Sequence, residues 1–224
     1  RSPLRASLGL ALAPRRAPRF GVRRHYAIAP WSARVEVHWA DGCEAYVTPV
    51  DHGSVGVAFL YSPPARFDEL LARFPHLRER LGGASPCSED RGAGPFEQRV
   101  RSRAVGRILL IGDAAGYLDP ITGEGVALGI TTARAAIGCL REGRLGAYDA
   151  RWRRETRLHL GLTAALLDVT RRRSVHRPLM TLLARAPFLF DAALGVLGGQ
   201  VDPDVTGPRR VPSADAPRVS PASP

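Results

Sequence analysis

The chain has no lysine: all 32 of its basic residues are arginine. In a chain rich in Arg, Ala, Gly and Pro, this reflects genomic base composition more than a nucleic-acid surface. The net charge of +11 therefore does not by itself identify an anionic partner. The basic excess gathers at residues 1–24 and 141–177. Such runs suit DNA, an anionic membrane or the phosphates of a nicotinamide cofactor, but solvated helix faces are the simplest account. No zinc-finger, RRM or KH signature is present, so no nucleic-acid partner is expected. Cysteine is scarce too. Cys43, Cys87 and Cys139 are too far apart to form a metal clip, which fits free thiols in a reducing cytoplasm. No apolar segment follows the Arg-rich start as a secretory signal requires. No run reaches the ~18 apolar residues of a membrane span. The nearest are 160–169 and 179–199, and Arg185, Pro187 and Asp191 interrupt the second. Peripheral membrane contact is left as the weaker option. A Gly-x-Gly-x-x-Gly strand-to-helix unit is also missing. Gly92-Ala-Gly94 has neither a preceding strand nor a third glycine in register.

What remains reads as five regions. Residues 1–20 are irregular apart from a short helix near 3–10. Residues 21–100 form an antiparallel domain. Strands are expected at 24–29, 34–39, 44–48 and 54–61, with a hairpin turn at Asp41-Gly42 and another turn at Asp51-His52-Gly53, giving a meander. An amphipathic helix comes next over 67–81 and is split by Pro75. Residues 82–94 read as a loop, and 96–102 as a further strand. Residues 101–145 hold a short apolar strand at 107–111, of the kind buried in parallel sheets, then a Gly-rich loop and a helix from about Gly125 to Leu140. Residues 146–199 are helical, with one long Arg-studded helix over 148–173. Residues 200–224 are Pro/Ser/Asp-rich and expected to be disordered.

The stretch that carries chemistry is Ile108 to Val126, with Gly112-Asp113, Asp119-Pro120 and Gly123-Glu124-Gly125 inside it. An Asp at the carboxyl end of a strand sits where α/β sheets bind ligands, placed to accept hydrogen bonds from hydroxyls. Pro120 stiffens the loop. Gly123 and Gly125 let backbone approach a ligand closely. A helix starting at Gly125 presents unpaired N–H groups and a positive dipole end. Such an end favours negative charge by on the order of 1 kcal/mol. Its first turns carry the small residues Ala127, Gly129 and Ala133.

This order of elements resembles the second FAD-binding motif of the aromatic-hydroxylase-like flavoproteins. That superfamily includes group A monooxygenases, flavin-dependent halogenases and geranylgeranyl reductases. The match is specific from about Arg107 to Cys139, and Phe74-Pro75-His76-Leu77 upstream is similar but less distinctive. The resemblance implies an α/β fold: the distal part of a Rossmann-like FAD-binding domain, an antiparallel substrate domain, and C-terminal helices. It implies FAD as cofactor and NAD(P)H as reductant. Asp113 would hydrogen-bond the ribityl chain and Pro120 would lie beside the isoalloxazine, with Gly112 and Gly123 also among the cofactor-binding residues. Gly125, Val126 and Ala127 would face its pyrimidine edge. His25 and Tyr26, on the first strand of the substrate sheet, would contact a small organic substrate. No catalytic side chain is assigned and no metal is expected.

The family's ADP-binding unit has no counterpart in these residues. Arg1 to Arg5 with Leu8-Gly9 are similar to the residues just after the family's middle Asp-Gly motif. The chain is therefore expected to be a fragment, with a preceding segment or a partner chain supplying the nucleotide-binding half. The function expected of the complete protein is an NAD(P)H-dependent monooxygenase. Two alternatives stand: a geranylgeranyl-reductase-like prenyl reductase, and a non-catalytic remnant that completes a partner. The resemblance argues against a halogenase, which relies on a Lys and on a Trp-x-Trp-x-Ile-Pro segment.

Overall fold

The computed structural model describes residues 2–170, which belong to one unit of the chain, Arg1–Pro178. The last three residues of the helix expected over 148–173, the helical pair expected from there to 199 and the tail over 200–224 lie outside the described residues. The chain opens with α1 (Pro3–Ser7), whose N-terminus is capped by Ser2 Oγ accepting from the Arg5 N–H, and a two-residue strand β1 (Ala11–Leu12). Four longer strands come next: β2 (Phe20–Tyr26), β3 (Glu36–Ala40), β4 (Cys43–Pro49) and β5 (Val55–Tyr61). Two short helices, α2 (Phe67–Leu71) and α3 (Pro75–Leu81), precede the short strands β6 (Arg91–Ala93), β7 (Arg99–Val100), β8 (Ala104–Val105) and β9 (Ile108–Leu109). Two long helices end the described part, α4 (Gly125–Arg141) and α5 (Tyr148–Thr170).

The central sheet is antiparallel, in the order β3-β4-β5-β2-β6. The turn between β3 and β4 uses Gly42 at φ +64°, a conformation a side chain would strain. β3, β4 and β5 form the expected meander. β2 is set differently: it lies beyond β5 and not beside β3. The connection over residues 27–35, at about 3.3 Å per extended residue, is long enough to cross two strands spaced about 4.8 Å apart. β6 lies in a stretch read as loop. Its three residues, all exposed, carry no apolar alternation, so only pairing with β2 makes them a strand.

Side-chain alternation gives the sheet two different faces. Cys43, Ala45 and Val47 of β4, with Val55, Val57, Phe59 and Tyr61 of β5, point into one core. Phe67, Leu70, Phe74, Leu77 and Leu81 of α2 and α3 cover that face. Pro75 starts α3 and divides the amphipathic segment in two, as its missing N–H requires. On the other face, Leu60, Trp39 and Tyr46 meet Phe96, Tyr117, Leu118 and Ile121 of the loops and Leu166 and Leu167 of α5. A third cluster joins Leu10, Val100 and Leu110 to α4 and α5 through Ala135, Ala136, Cys139, Tyr148 and Trp152.

The apolar run 107–111 is not a strand of a parallel sheet in the described residues. Only β9 is regular there, paired antiparallel with β8, and Leu110 N–H donates to the Arg103 carbonyl. Leu110 is buried while its neighbour Ile111 is 45% exposed. A short apolar run specifies burial more firmly than it specifies the partner strand.

Candidate functional site

The site is assembled on the first half of α4. After Leu110 the chain reverses at Gly112, at φ +52°, into a single 3₁₀ turn, Gly112–Ala115. Gly112 packs directly on the helix: a Cβ added to it would lie 3.7 Å from Gly129 Cα. Its N–H donates to Thr132 Oγ1 at 3.1 Å, and that hydroxyl donates to the Gly129 carbonyl at 3.0 Å. Tyr148 Oη, fully buried, donates to the Leu110 carbonyl at 2.8 Å. Thr132 and Tyr148 thus lock the turn to α4 and α5. Neither stands out in the sequence, because each contact spans a large separation along the chain. Asp113 leads this rigid turn. Its carboxylate is exposed and accepts no hydrogen bond among the described residues.

The next loop is fixed from the opposite side. Gln98 and Tyr117 exchange backbone hydrogen bonds at 2.8 and 2.9 Å. Asp119 is 4% exposed and does two jobs. Its Oδ1 accepts from the Ile121 N–H at 3.1 Å, and its Oδ2 accepts from Arg19 Nε at 2.9 Å. Arg19 NH2 also donates to Glu44 Oε2 of β4 at 2.6 Å. Tyr46 Oη, on the same strand and the same face, donates to the Ile121 carbonyl at 2.9 Å. Pro120 therefore sits in a 3₁₀ turn, Pro120–Thr122, clamped to the sheet on both sides. Burial pushes the Tyr46 phenol and the Glu44 carboxyl upward; for Glu44, Arg19 offsets part of the rise and Asp119 adds to it. Burial also raises the Tyr117 phenol, reinforced by Asp113 and Asp119.

Gly123, at φ +72°, ends that turn and delivers the chain to α4. Glu124 occupies the N-cap position yet makes no capping hydrogen bond. Its Oε2 lies 2.6 Å from His159 Nδ1 of α5 instead. No side chain caps the first turn of α4. A Cβ at Gly125 would meet open space, and Val126 is 78% exposed, with Ala127 exposed beside it. The structure thus brings Gly112 and Asp113 onto the second turn of α4, and Pro120, Gly123, Gly125, Val126 and Ala127 to its start.

His25 and Tyr26 are separated by the pleat. Tyr26, 5% exposed, lies in the helix-covered core against Phe67 and away from the loop-facing side of the sheet. His25 is on that loop-facing side, in register with Gly56 and beside Arg23. Trp31 belongs to the helix side as well: Arg80 stacks on its ring and Glu36 accepts from its indole N–H. The loop-facing side carries His25, Tyr46 and Trp39. Among the described residues no group of His, Cys, Asp or Glu is arranged to hold a metal. No helix among them is long and apolar enough to cross a membrane.

No family model matches the chain. Solved structures do. The flavin-dependent brominase Bmp2 superposes with a TM-score of 0.67 at 17% identity, covering 82% of this chain and 51% of its own. PqsL, a probable FAD-dependent monooxygenase from Pseudomonas aeruginosa, gives 0.56 at 22% identity over 80% of this chain and 56% of its own. CmlS, a flavin-dependent halogenase, gives 0.57 at 22% identity over 69% of this chain and 32% of its own. The chain spans between 32% and 56% of the lengths of these three proteins. At such identities the likeness establishes architecture alone: the chain shares its fold with these solved flavin-dependent proteins.

Proposed function

We propose that this chain is the substrate-side and flavin-contacting part of an FAD-dependent oxidoreductase. In complete form it is an NAD(P)H-dependent monooxygenase acting on a small organic substrate. The observation that carries the reading is the pairing of an unpartnered carboxylate, Asp113, with an uncapped 17-residue helix start at Gly125, both held on α4. This donor set suits one end of FAD. A carboxylate accepts from ribityl hydroxyls, while free N–H groups and the positive helix end favour the charge of a reduced flavin's pyrimidine edge. A stiff Pro120 and side-chain-free glycines leave room for a flat ring. The adenosine diphosphate end finds no equivalent cradle among the described residues. A preceding segment or a partner chain is proposed to supply it.

Bound FAD supplies the electron transfer from NAD(P)H and the reaction with O2. The residues of this chain position and shield it. Asp113 orients the ribityl chain, and the Arg19 clamp holds Pro120. The sheet face with Arg23 and His25 offers a polar floor for substrate.

The fold is shared with proteins described as halogenases, but identities of 17–22% do not carry an activity. The absence of Lys is a property of these 224 residues and does not extend to the remainder of a longer enzyme. A prenyl reductase would need a long apolar channel. The loop-facing sheet residues Arg23 and His25, which the loop over 117–121 does not cover, favour a smaller, more polar substrate. The test is NAD(P)H oxidation by the completed, FAD-loaded protein with candidate aromatic substrates, with and without O2. Substrate-stimulated turnover that requires O2 is expected. Turnover that persists without O2 and saturates a polyprenyl chain would overturn the reading.

A further inference from the structure

A second concavity lies on the α5 side of the molecule and includes none of the residues assigned above to the flavin. It is an open cleft of about 520 Å³ lined by residues of α5 and of the segments 97–103 and 116–118. That volume falls within the range of small-molecule sites. Its walls are apolar and aromatic, from Tyr117, Leu118, Trp152 and Leu160, and its rim is cationic, from Arg15, Arg99 and Arg153.

The charges divide into spent and unspent. Arg103 is spent: it stacks 3.5 Å over the Trp152 ring and donates to Asp149 at 2.9 Å. Glu97 is an acidic lining group, and its Oε2 is committed to the N–H groups of Arg15 and Arg16 at 2.8 and 2.7 Å. Arg99 uses one nitrogen on the Ala13 carbonyl. Arg153 is 66% exposed and reaches Asp149 only at 4.0 Å, and among the described residues no hydrogen bond or ion pair occupies the Arg15 guanidinium. The cleft is left with a net positive rim facing one carboxylate that is already bonded. Two buried donors of lining residues, Trp152 Nε1 and Arg103 Nε, have no acceptor among the described residues. Both atoms are shut off from solvent inside the Arg103–Trp152 stack, so what the cleft offers a ligand is its exposed arginines and apolar lining. Gly116 stays side-chain-free here, at φ +136°, and its backbone rests on the Arg103–Trp152 stack.

We propose that this cleft binds a small molecule with an anionic head, phosphate or carboxylate, on a flat or chain-like apolar body. Forked guanidiniums at the rim suit the oxygens of either head. The wall of Tyr117, Leu118 and Leu160 suits the body. A nucleotide and a long-chain carboxylate share this chemistry. The cleft would have it whether or not Asp113 and α4 hold a flavin.

The test uses the full chain and three probes, NADPH, dodecanoate and inorganic phosphate, titrated by calorimetry. The variant is Arg15→Glu/Arg153→Glu. Arg157→Glu is the control, an exposed Arg on the same helix and outside the cleft. All three positions are exposed, so thermal melting followed by circular dichroism should be unchanged. Saturable binding of NADPH or of dodecanoate is expected, weakened roughly tenfold or more by the double variant and unaffected by the control. Whichever organic probe binds identifies the source of the head group. The proposal is overturned if neither organic probe saturates, if the control weakens binding as much as the variant does, or if inorganic phosphate binds as tightly as either.

Discussion

Arg19 Nε donates to Asp119 Oδ2 at 2.9 Å, so a cation on the segment before the sheet holds the residue just ahead of Pro120. The pair is dry, with side-chain exposures of 6% and 2%. Glu44 makes the arrangement two carboxylates around one guanidinium. Removing one partner from such a group leaves a buried charge uncompensated, at a cost of about 3–5 kcal/mol. Arg19→Met is therefore expected to lower unfolding stability by about that amount in urea denaturation. A loss under about 1 kcal/mol would show that the clamp does not hold the loop.

Glu44 should also give the network a pH signature. Burial raises its carboxyl above the ordinary 4.5, Arg19 offsets part of this, and Asp119 adds to it. A group whose folded value is raised stabilises the fold most below its unfolded value, and loses that contribution as pH climbs through the folded value. Glu44→Gln removes the titration. The stability of this variant relative to the parent should become less favourable as pH falls from neutral, because protonation of the parent's Glu44 relieves the cost of its buried charge. Urea midpoints at several pH values measure this, and the opposite trend would reject it.

These two residues also mark where reading the sequence stops. The hairpin at Asp41-Gly42, the division of α2 from α3 at Pro75 and the start of α4 at Gly125 are local events, each encoded in residues a few positions apart. The pairs Arg19–Asp119 and Glu124–His159 span 100 and 35 positions, and no periodicity links them. The order of the sheet is hidden for a similar reason: alternation marks β2 as a strand without naming its neighbour. The turn at Gly112 is legible locally, because a glycine follows a short apolar run. Thr132 and Tyr148, which hold that turn in place, are not.

Asp113 yields a prediction that separates function from folding. Its carboxylate is exposed and bonds nothing among the described residues, so Asp113→Ala should leave the melting temperature of the chain unchanged. In the completed protein the same change should remove a charge-assisted hydrogen bond to FAD, worth roughly 1.5–3 kcal/mol, or about ten- to a hundredfold in affinity. Flavin absorbance after gel filtration gives the occupancy. A fully occupied variant would remove Asp113 from the site.

The last prediction concerns the outer face of α4. Its inward side is made of small residues, Thr132, Ala135, Ala136 and Cys139. Its outward side carries Val126, Ile130, Ile137 and Leu140, which are 78%, 52%, 56% and 61% exposed. An exposed apolar stripe of this kind is expected to need a cover. On the proposed reading the cover is the nucleotide-binding half, which would also bring the cradle for the FAD pyrophosphate. The chain alone should then self-associate and bind FAD weakly. Ile130→Glu/Ile137→Glu should render it monodisperse by light scattering, with an unchanged melting temperature because both side chains are exposed. The same double change should abolish FAD retention when a nucleotide-binding half is supplied. A submicromolar dissociation constant for FAD with the unmodified chain alone, measured by calorimetry, would show that the site is already complete and that the stripe serves another purpose.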